Sequence, residues 1–487
     1  LHHSRGRLSI LKKAKGDAMK HRRAFALISS VLLIGTVNAQ SAAPKPTPVK
    51  VTLDTGVLVG QVENGIHVFR GVPFAKPPVG ELRWKAAQKP DPWPGERAAF
   101  AHEPPCPQPV NLDGSVNFGG VSGVQSEDCL YLTVFAPPNA NKAPVVLWFY
   151  GGGAFLGAGH LGSYDGTANA KQGVITIPIN YRLGALANFS HPALTKDAGP
   201  NEALGNFALT DAVAALEWIK RNVAAFGGDP NNVTIAGQSA GAVMVVNLLS
   251  IPSAKGLFHK AVVQSGALLR QGQTMEEAER RGVEAAKALG LPENVTAAQL
   301  RAVSAQTFVA NEATRRGVTS PIDGRFRTIS TLDALNQGTE IDVPVMVGSN
   351  NGEPGFDAAR TLAKLTGARG AGAWLYHFAH VPAFRKDEWK SGAIHSAELM
   401  FTFDSIDTSG WGVSATGKAD DADRAVAKLV NSCWIAFYKM DPKAKSLTCA
   451  NGVNWPAYTE AGDDVLQFTT AQPKLVKSKT LPDGPRN

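Results

Sequence analysis

Apolar and polar positions fall into blocks of two different periods along this chain. Residues 51–69 alternate with period two, and Gly56 and Asn64-Gly65 supply turns, which predicts antiparallel strands. Residues 76–128 are rich in Pro and Gly and read as a long surface excursion. From Val145 onward, short fully apolar runs alternate with helical periodicity. The runs 145–149, 233–236, 343–347 and 374–381 read as buried strands. The longest helix signal is 207–225, with Leu209, Val213, Leu216, Ile219 and Val223 on one face. Helices are also expected over 243–249, 275–289 (closed by Gly290), 357–365 and 421–438. Strands alternating with helices predict an α/β chain: a mostly parallel, doubly wound sheet flanked by helices, preceded by antiparallel strands.

Length alone would suggest about three domains. The chain shows no repeat, no extended low-complexity run and no Pro/Ser-rich linker between its chemically interesting segments. With 44% hydrophobic residues it can bury a large core, so 40–487 is read as one domain.

The chemistry begins at Gly237-Gln238-Ser239-Ala240-Gly241. A turn run, 226–232, and the strand 233–236 precede it, and the apolar helix 243–249 follows. A bare G-x-S-x-G carries little weight in a chain with 49 glycines. Between a strand and a helix it predicts a nucleophile elbow that holds Ser239 out at the sheet's edge, near a helix N-terminus. Next, the strand 145–149 runs into Tyr150-Gly151-Gly152-Gly153-Ala154. Unhindered N–H groups of Gly152 and Gly153, with that of Ala240, would make an oxyanion hole. The competing reading is an ordinary tight loop. The strand 343–347 leads to a loop bearing Glu353, and the strand 374–381 to a loop bearing His395. Of the 11 histidines, only His395 is both C-terminal to Glu353 and on a loop; His377 and His380 read as packing or surface residues. The order Ser, Glu, His is that of α/β-hydrolases.

Further motifs carry a family resemblance. Phe69-Arg70-Gly71-Val72-Pro73-Phe74-Ala75, the stretch from Pro77 to Trp84, and Ser126-Glu127-Asp128-Cys129-Leu130-Tyr131-Leu132 are three of them. Asn180-Tyr181-Arg182-Leu183-Gly184 and Phe226-Gly227-Gly228-Asp229-Pro230 are two more. Together they resemble the type-B carboxylesterases, over residues 51–458. The resemblance implies an α/β-hydrolase fold and ester hydrolysis through an acyl-enzyme on Ser239. His395 would be base then acid, and Glu353 the orienting acid. No cofactor or metal is implied, and the partner is a small-molecule ester. Ser265 matches a serine that supports the triad in this family; a satisfied core hydroxyl is the competing reading. Asp323 and Arg70 read as structural. An acyltransferase, amidase or lactonase would use the same residues, and a catalytically silent binding protein would lack one of them.

Two expectations follow from the family comparison. Ala154 stands where many relatives carry an aromatic residue, which predicts acceptance of bulky, even tertiary-alcohol, esters. The interval from Glu353 to His395 is shorter than is usual, which predicts an open acyl pocket or a deletion that spoils it.

The formal charge of +8 could point to nucleic acid or a membrane surface. Its distribution argues otherwise. Eight of the 49 basic residues precede position 40, leaving 41 basic against 40 acidic residues after it. Met19 to Arg23 is a positive n-region, 24–36 an apolar h-region and Val37-Asn38-Ala39 a cleavage site, so 19–39 reads as a signal peptide. Residues 1–18 read as translated upstream sequence. Export to a periplasmic or extracellular site is expected, with no membrane-spanning segment after cleavage. Oligomeric state is not legible. Four cysteines allow three pairings. The family resemblance supports Cys106–Cys129, leaving Cys433–Cys449 to close a loop. Such an enzyme would be sensitive to strong reductants. No spacing looks metal-ligating.

Overall fold

The first apolar alternation forms three antiparallel strands, β1 (Pro48–Leu53), β2 (Gly56–Glu63) and β3 (Ile66–Pro73). They belong to a computed structural model that describes residues 47–111, 113–316, 320–414, 417–470 and 472–485. The leader, residues 1–39, with its expected upstream and signal segments, lies outside the described residues.

The remaining strands of this sheet are β4 (Glu96–Ala98), β5 (Tyr131–Ala136), β6 (Ala143–Phe149), β7 (Ile175–Pro178), β8 (Gly228–Gln238) and β9 (Lys260–Gln264). After them come β10 (Val345–Asn350), β11 (Ala373–Phe378), β12 (Asp464–Phe468) and β13 (Lys474–Lys477). Their order is β1-β2-β3-β5-β7-β6-β8-β9-β10-β11-β12-β13, with β4 beside β2. From β7 to β12 every neighbouring pair is parallel; β5 and β13 join the two ends antiparallel. This is the α/β-hydrolase arrangement, a large mixed sheet flanked by helices. The helices that matter below are α1 (Phe207–Asn222), α2 (Ala240–Leu248), α3 (Met275–Ala288), α4 (Phe356–Gly367) and α5 (Asp421–Lys439).

The parallel strands are buried on both faces, which is why they read as unbroken apolar runs. Five tryptophans, 148, 218, 374, 434 and 455, are fully buried in this core. The excursion 76–128 departs from its reading as surface. Trp84 is buried and donates from Nε1 to Ala185 O at 2.9 Å. Arg83 forms an ion pair with Glu127 and donates to Arg301 O at 2.9 Å. Residues of two family-like motifs thus lock the excursion onto a second apolar cluster around Phe189, Leu300 and Phe308. Arg182, from another motif, pairs with fully buried Asp211 and fixes α1 to the loop after β7.

Candidate active site

Strand β8 ends at Gln238, and the chain turns directly into α2. Ser239 sits at the turn with φ 54° and ψ −122°, a backbone region costly for any residue with a Cβ. Neighbouring bonds hold it there. Its N–H donates to Gln264 O at 2.9 Å, and its carbonyl accepts from Val243 N–H at 3.0 Å. A Cβ on Gly237 would lie 2.5 Å from the Gly241 carbonyl carbon, and one on Gly241 would lie 2.0 Å from Phe149 O. Only glycine lets strand and helix cross this closely.

The loop after β6 approaches the same point. Gly152 has φ 113°, and its carbonyl accepts from Phe155 N–H at 3.2 Å and Leu156 N–H at 3.0 Å. That carbonyl is thereby tied into its own loop. The N–H groups of Gly152, Gly153 and Ala240 have no hydrogen-bond partner among the described residues. Three unspent donors around a serine suit a developing negative oxygen.

The third part comes from the ends of β10 and β11. Glu353 lies on the loop after β10 with a side chain only 7% exposed, and its Oε2 is hydrogen-bonded to His395 Nδ1. Its Oε1 accepts from Ser265 Oγ at 2.5 Å and from Asn350 N–H at 2.9 Å. The short interval between Glu353 and His395 therefore does not keep them apart. The Ser265 hydroxyl points at the acid, not into the core.

With its Nδ1–H on Glu353, the ring presents Nε2 to the elbow. There it meets the Gln238 amide nitrogen at 3.2 Å. Ser239 Oγ makes no hydrogen bond to the ring among the described residues. Such contacts often tighten only when substrate is bound. Burial pulls the His395 imidazolium down, but the hydrogen bond and charge of Glu353, with Glu398 behind it, outweigh this and raise its pKa.

Three contributors escaped the sequence reading. Gln238 meets His395 Nε2 through its side-chain amide nitrogen. Glu398 is fully buried and is pushed up to about 7 by burial and by the nearby Glu353 charge, against the opposing effects of Asn350 and His395. Asn350 joins these groups. Its side-chain nitrogen donates to Glu398 Oε2 at 2.6 Å and Ile394 O at 2.7 Å, while its backbone N–H serves Glu353. Gln264 Nε2 donates to Glu398 Oε1 at 3.3 Å and is itself held by Trp434 Nε1 at 3.0 Å. A lone carboxylate beside the apolar stretch 399–401 was the available signal for Glu398.

Residues read as structural fit that role. Asp323 accepts from four backbone N–H groups, those of Leu204, Arg325, Phe326 and Arg327. Arg70 pairs with Glu63. His377 and His380 are buried, the latter 3.2 Å from Asp423 Oδ1. Cys106 is bonded to Cys129, and Cys433 to Cys449. Among the described residues no group of three or more His, Cys, Asp or Glu is placed to hold a metal, and no helix is long and apolar enough to cross a membrane.

A cleft of about 540 Å³ opens from this point, lined on the site's side by Ala154 and Ala240 and along α2 by Val243, Met244 and Asn247.

Known proteins resemble this chain over most of its length. Residues 47–369 match the model of the carboxylesterase family. The chain is 32% identical to a para-nitrobenzyl esterase of Bacillus subtilis (strain 168), over 85% of this chain and 94% of that protein. It is 35% identical to a fumonisin B1 esterase of Sphingopyxis macrogoltabida, over 68% of this chain and 61% of that one. A solved PNB esterase superposes with a TM-score of 0.76 at 29% identity, covering 89% of this chain and 99% of the other. A Geobacillus stearothermophilus carboxylesterase does so with 0.72 at 28% identity, covering 88% and 97%.

Proposed function

The chain belongs to the carboxylesterase family and is a serine hydrolase of carboxylic esters, and we propose that Ser239, His395 and Glu353 carry out its chemistry. His395 Nε2 takes the hydroxyl proton as Ser239 attacks the ester carbonyl. The tetrahedral oxyanion settles on the N–H groups of Gly152, Gly153 and Ala240. The alcohol leaves with the proton from His395. Water then attacks the acyl-enzyme, with the same ring as base. Glu353 holds the ring in the tautomer whose Nε2 carries no proton, so that Nε2 can exchange the Gln238 amide for the Ser239 hydroxyl, and Ser265 and Asn350 hold Glu353. The reading rests above all on the Glu353–His395 hydrogen bond, formed beside an elbow where the N–H groups of Gly152, Gly153 and Ala240 are unspent among the described residues.

The test is Ser239→Ala assayed on 4-nitrophenyl butyrate, with labelling by a fluorophosphonate probe. A loss of roughly 10⁴-fold or more with no labelling is expected. Labelling and turnover that survive in the variant would place the nucleophile elsewhere.

The substrates are taken to be small to medium esters, and the catalytic domain to run from residue 40 to 487. Export with cleavage after Ala39 is supported by the two disulfides, which persist in oxidising compartments. Amino-terminal sequencing of the exported protein should begin at Gln40.

A further inference from the structure

The cleft that begins at the oxyanion N–H groups runs along α2 and ends on a cation that the mechanism does not use. Arg327 lines it and is only 6% exposed. Its Nη1 donates to Ser320 O at 2.7 Å and its Nη2 to Asn247 Oδ1 at 2.9 Å, both neutral acceptors. Its Nε has no partner, and no carboxylate lies within salt-bridge distance among the described residues. Asp323, four residues earlier, acts on it only through space, since its oxygens are spent on backbone N–H groups. Gln273, which also lines the cleft, has both side-chain polar atoms buried without partners.

The rest of the lining has the same sign. Among the described residues Arg270 and Arg281 face the cleft without a carboxylate partner, whereas Arg182 is neutralised by Asp211. The one carboxylate of the lining, Glu277, accepts from Thr274 N–H at the start of α3. A guanidinium does not shed its proton at working pH, so Arg327 stays charged. A buried charge whose one nearby carboxylate acts only through space is costly, and a ligand carboxylate on the unpartnered Nε, beside the Nη2 that Asn247 already holds, would compensate it with a charge-assisted hydrogen bond.

We infer that this cleft selects esters whose chain ends in a carboxylate, bound by Arg327 as the specificity-determining residue. The inference rests on the esterase reading above and names its substrate class. Geometry sets the length. Asn247, which Arg327 touches, is seven residues beyond Ala240 on α2, about 10 Å along the helix axis, or a chain of roughly six to eight atoms. Between the two ends the chain would lie over Val243, Met244 and Leu209. The ligand is therefore amphiphilic, with an ester at one end, a methylene run, and an anion at the other.

The experiment compares 4-nitrophenyl hemiesters of dicarboxylic acids, from succinate to sebacate, with 4-nitrophenyl alkanoates of matched length. A second arm compares acetates of ω-hydroxy acids with matched alkyl acetates, and so tells an anion on the acyl side from one on the alcohol side. In one arm, kcat/KM for the carboxylate ester should exceed that of its neutral partner about tenfold or more at intermediate length. The advantage should vanish for the shortest chain and shrink with added salt. Arg327→Gln should bring the ratio to one or below. Asn247→Asp, which supplies an internal counter-ion, should do the same even if the first variant does not fold. A ratio at or below one at every length in both arms would overturn the inference alone. So would a ratio that both variants leave unchanged. Absence of Ser239-dependent turnover on any ester would overturn the esterase reading, and this inference with it.

Discussion

Two carboxyls, one bonded to the imidazole and one acting on it through space, set the pH behaviour of this site. In the proposed mechanism His395 must be neutral to accept the Ser239 proton, and its pKa is raised above 6.5. The acid limb of kcat/KM should therefore fall at a pH above 6.5, as an apparent value belonging to the coupled groups. Glu398 is one of the charges that raise it, so Glu398→Gln should move the limb to lower pH. The same substitution changes stability with a definite sign. A carboxyl near 4.5 when unfolded and pushed up to about 7 when folded favours the folded state fully below 4.5. That contribution is lost as pH rises through about 7. The native protein should lose melting temperature between pH 5 and pH 8 more steeply than Glu398→Gln does. Parallel declines would show that Glu398 is not neutral in the folded protein at low pH. Glu398, Asn350 and Gln238 were missed for one reason. Hydropathy treats a polar side chain as exposed, whereas one with its hydrogen bonds satisfied can be buried. Ser239, Glu353 and His395 were legible because a special backbone or a loop position marks them.

At the level of elements, the strand-to-loop junctions decide the chemistry, and here the sequence was read with small offsets. The strand expected at 343–347 runs over Val345–Asn350, because the polar Ser349 and Asn350 continue it into the core. The expected helix 357–365 spans Phe356–Gly367, and its start shows a tie that no local pattern reveals. Gly355 offers no side-chain cap, so Asp483, from the C-terminal segment, accepts from the N–H groups of Gly355 and Phe356 at 2.9 and 2.7 Å. A Cβ on neighbouring Gly484 would come 1.9 Å from Glu353 O. The tail thus packs on the loop that carries Glu353. Asp483→Ala should cost about 1 kcal/mol, as loss of a helix cap does. It should lower kcat more than it raises KM, because Glu353 loosens. A fall in melting temperature with unchanged kcat would confine Asp483 to a stabilising role. The glycine loop gives a second expectation. Its Gly152 carbonyl is turned inward, and Ala154 presents only a methyl to the cleft. Measurable turnover of tert-butyl acetate should follow, and Gly152→Ala, whose Cβ would stand 2.3 Å from Leu156 O, should abolish it. Turnover confined to primary-alcohol esters would reject this account of the loop.

Over the whole molecule, the two disulfides meet the chain's redox environment, and their burial sharpens what a reductant should do. Sequence suggested simple sensitivity. In the structure Cys106, Cys129, Cys433 and Cys449 are all at most 2% exposed. Thiol–disulfide exchange needs direct attack on a sulfur, so a buried bridge is reduced only after its surroundings open. Each bridge closes a short loop, with sequence separations of 23 and 16, worth about 3 kcal/mol apiece by the loop-entropy model. They act in different places. Cys106–Cys129 closes the excursion beside the Arg83–Glu127 pair, and Cys433–Cys449 ties α5 to the strand Ser446–Thr448 that follows it. The folded enzyme should therefore keep its activity in dithiothreitol at room temperature for as long as it stays folded. Its melting temperature in the same reductant should fall, and refolding from reduced, denatured chain should be poor. Cys433→Ser/Cys449→Ser should lower the melting temperature without moving KM, since that bridge lies outside the lining of the catalytic cleft. Rapid loss of activity in reductant at a temperature where circular dichroism shows no unfolding would contradict the buried placement of both bridges.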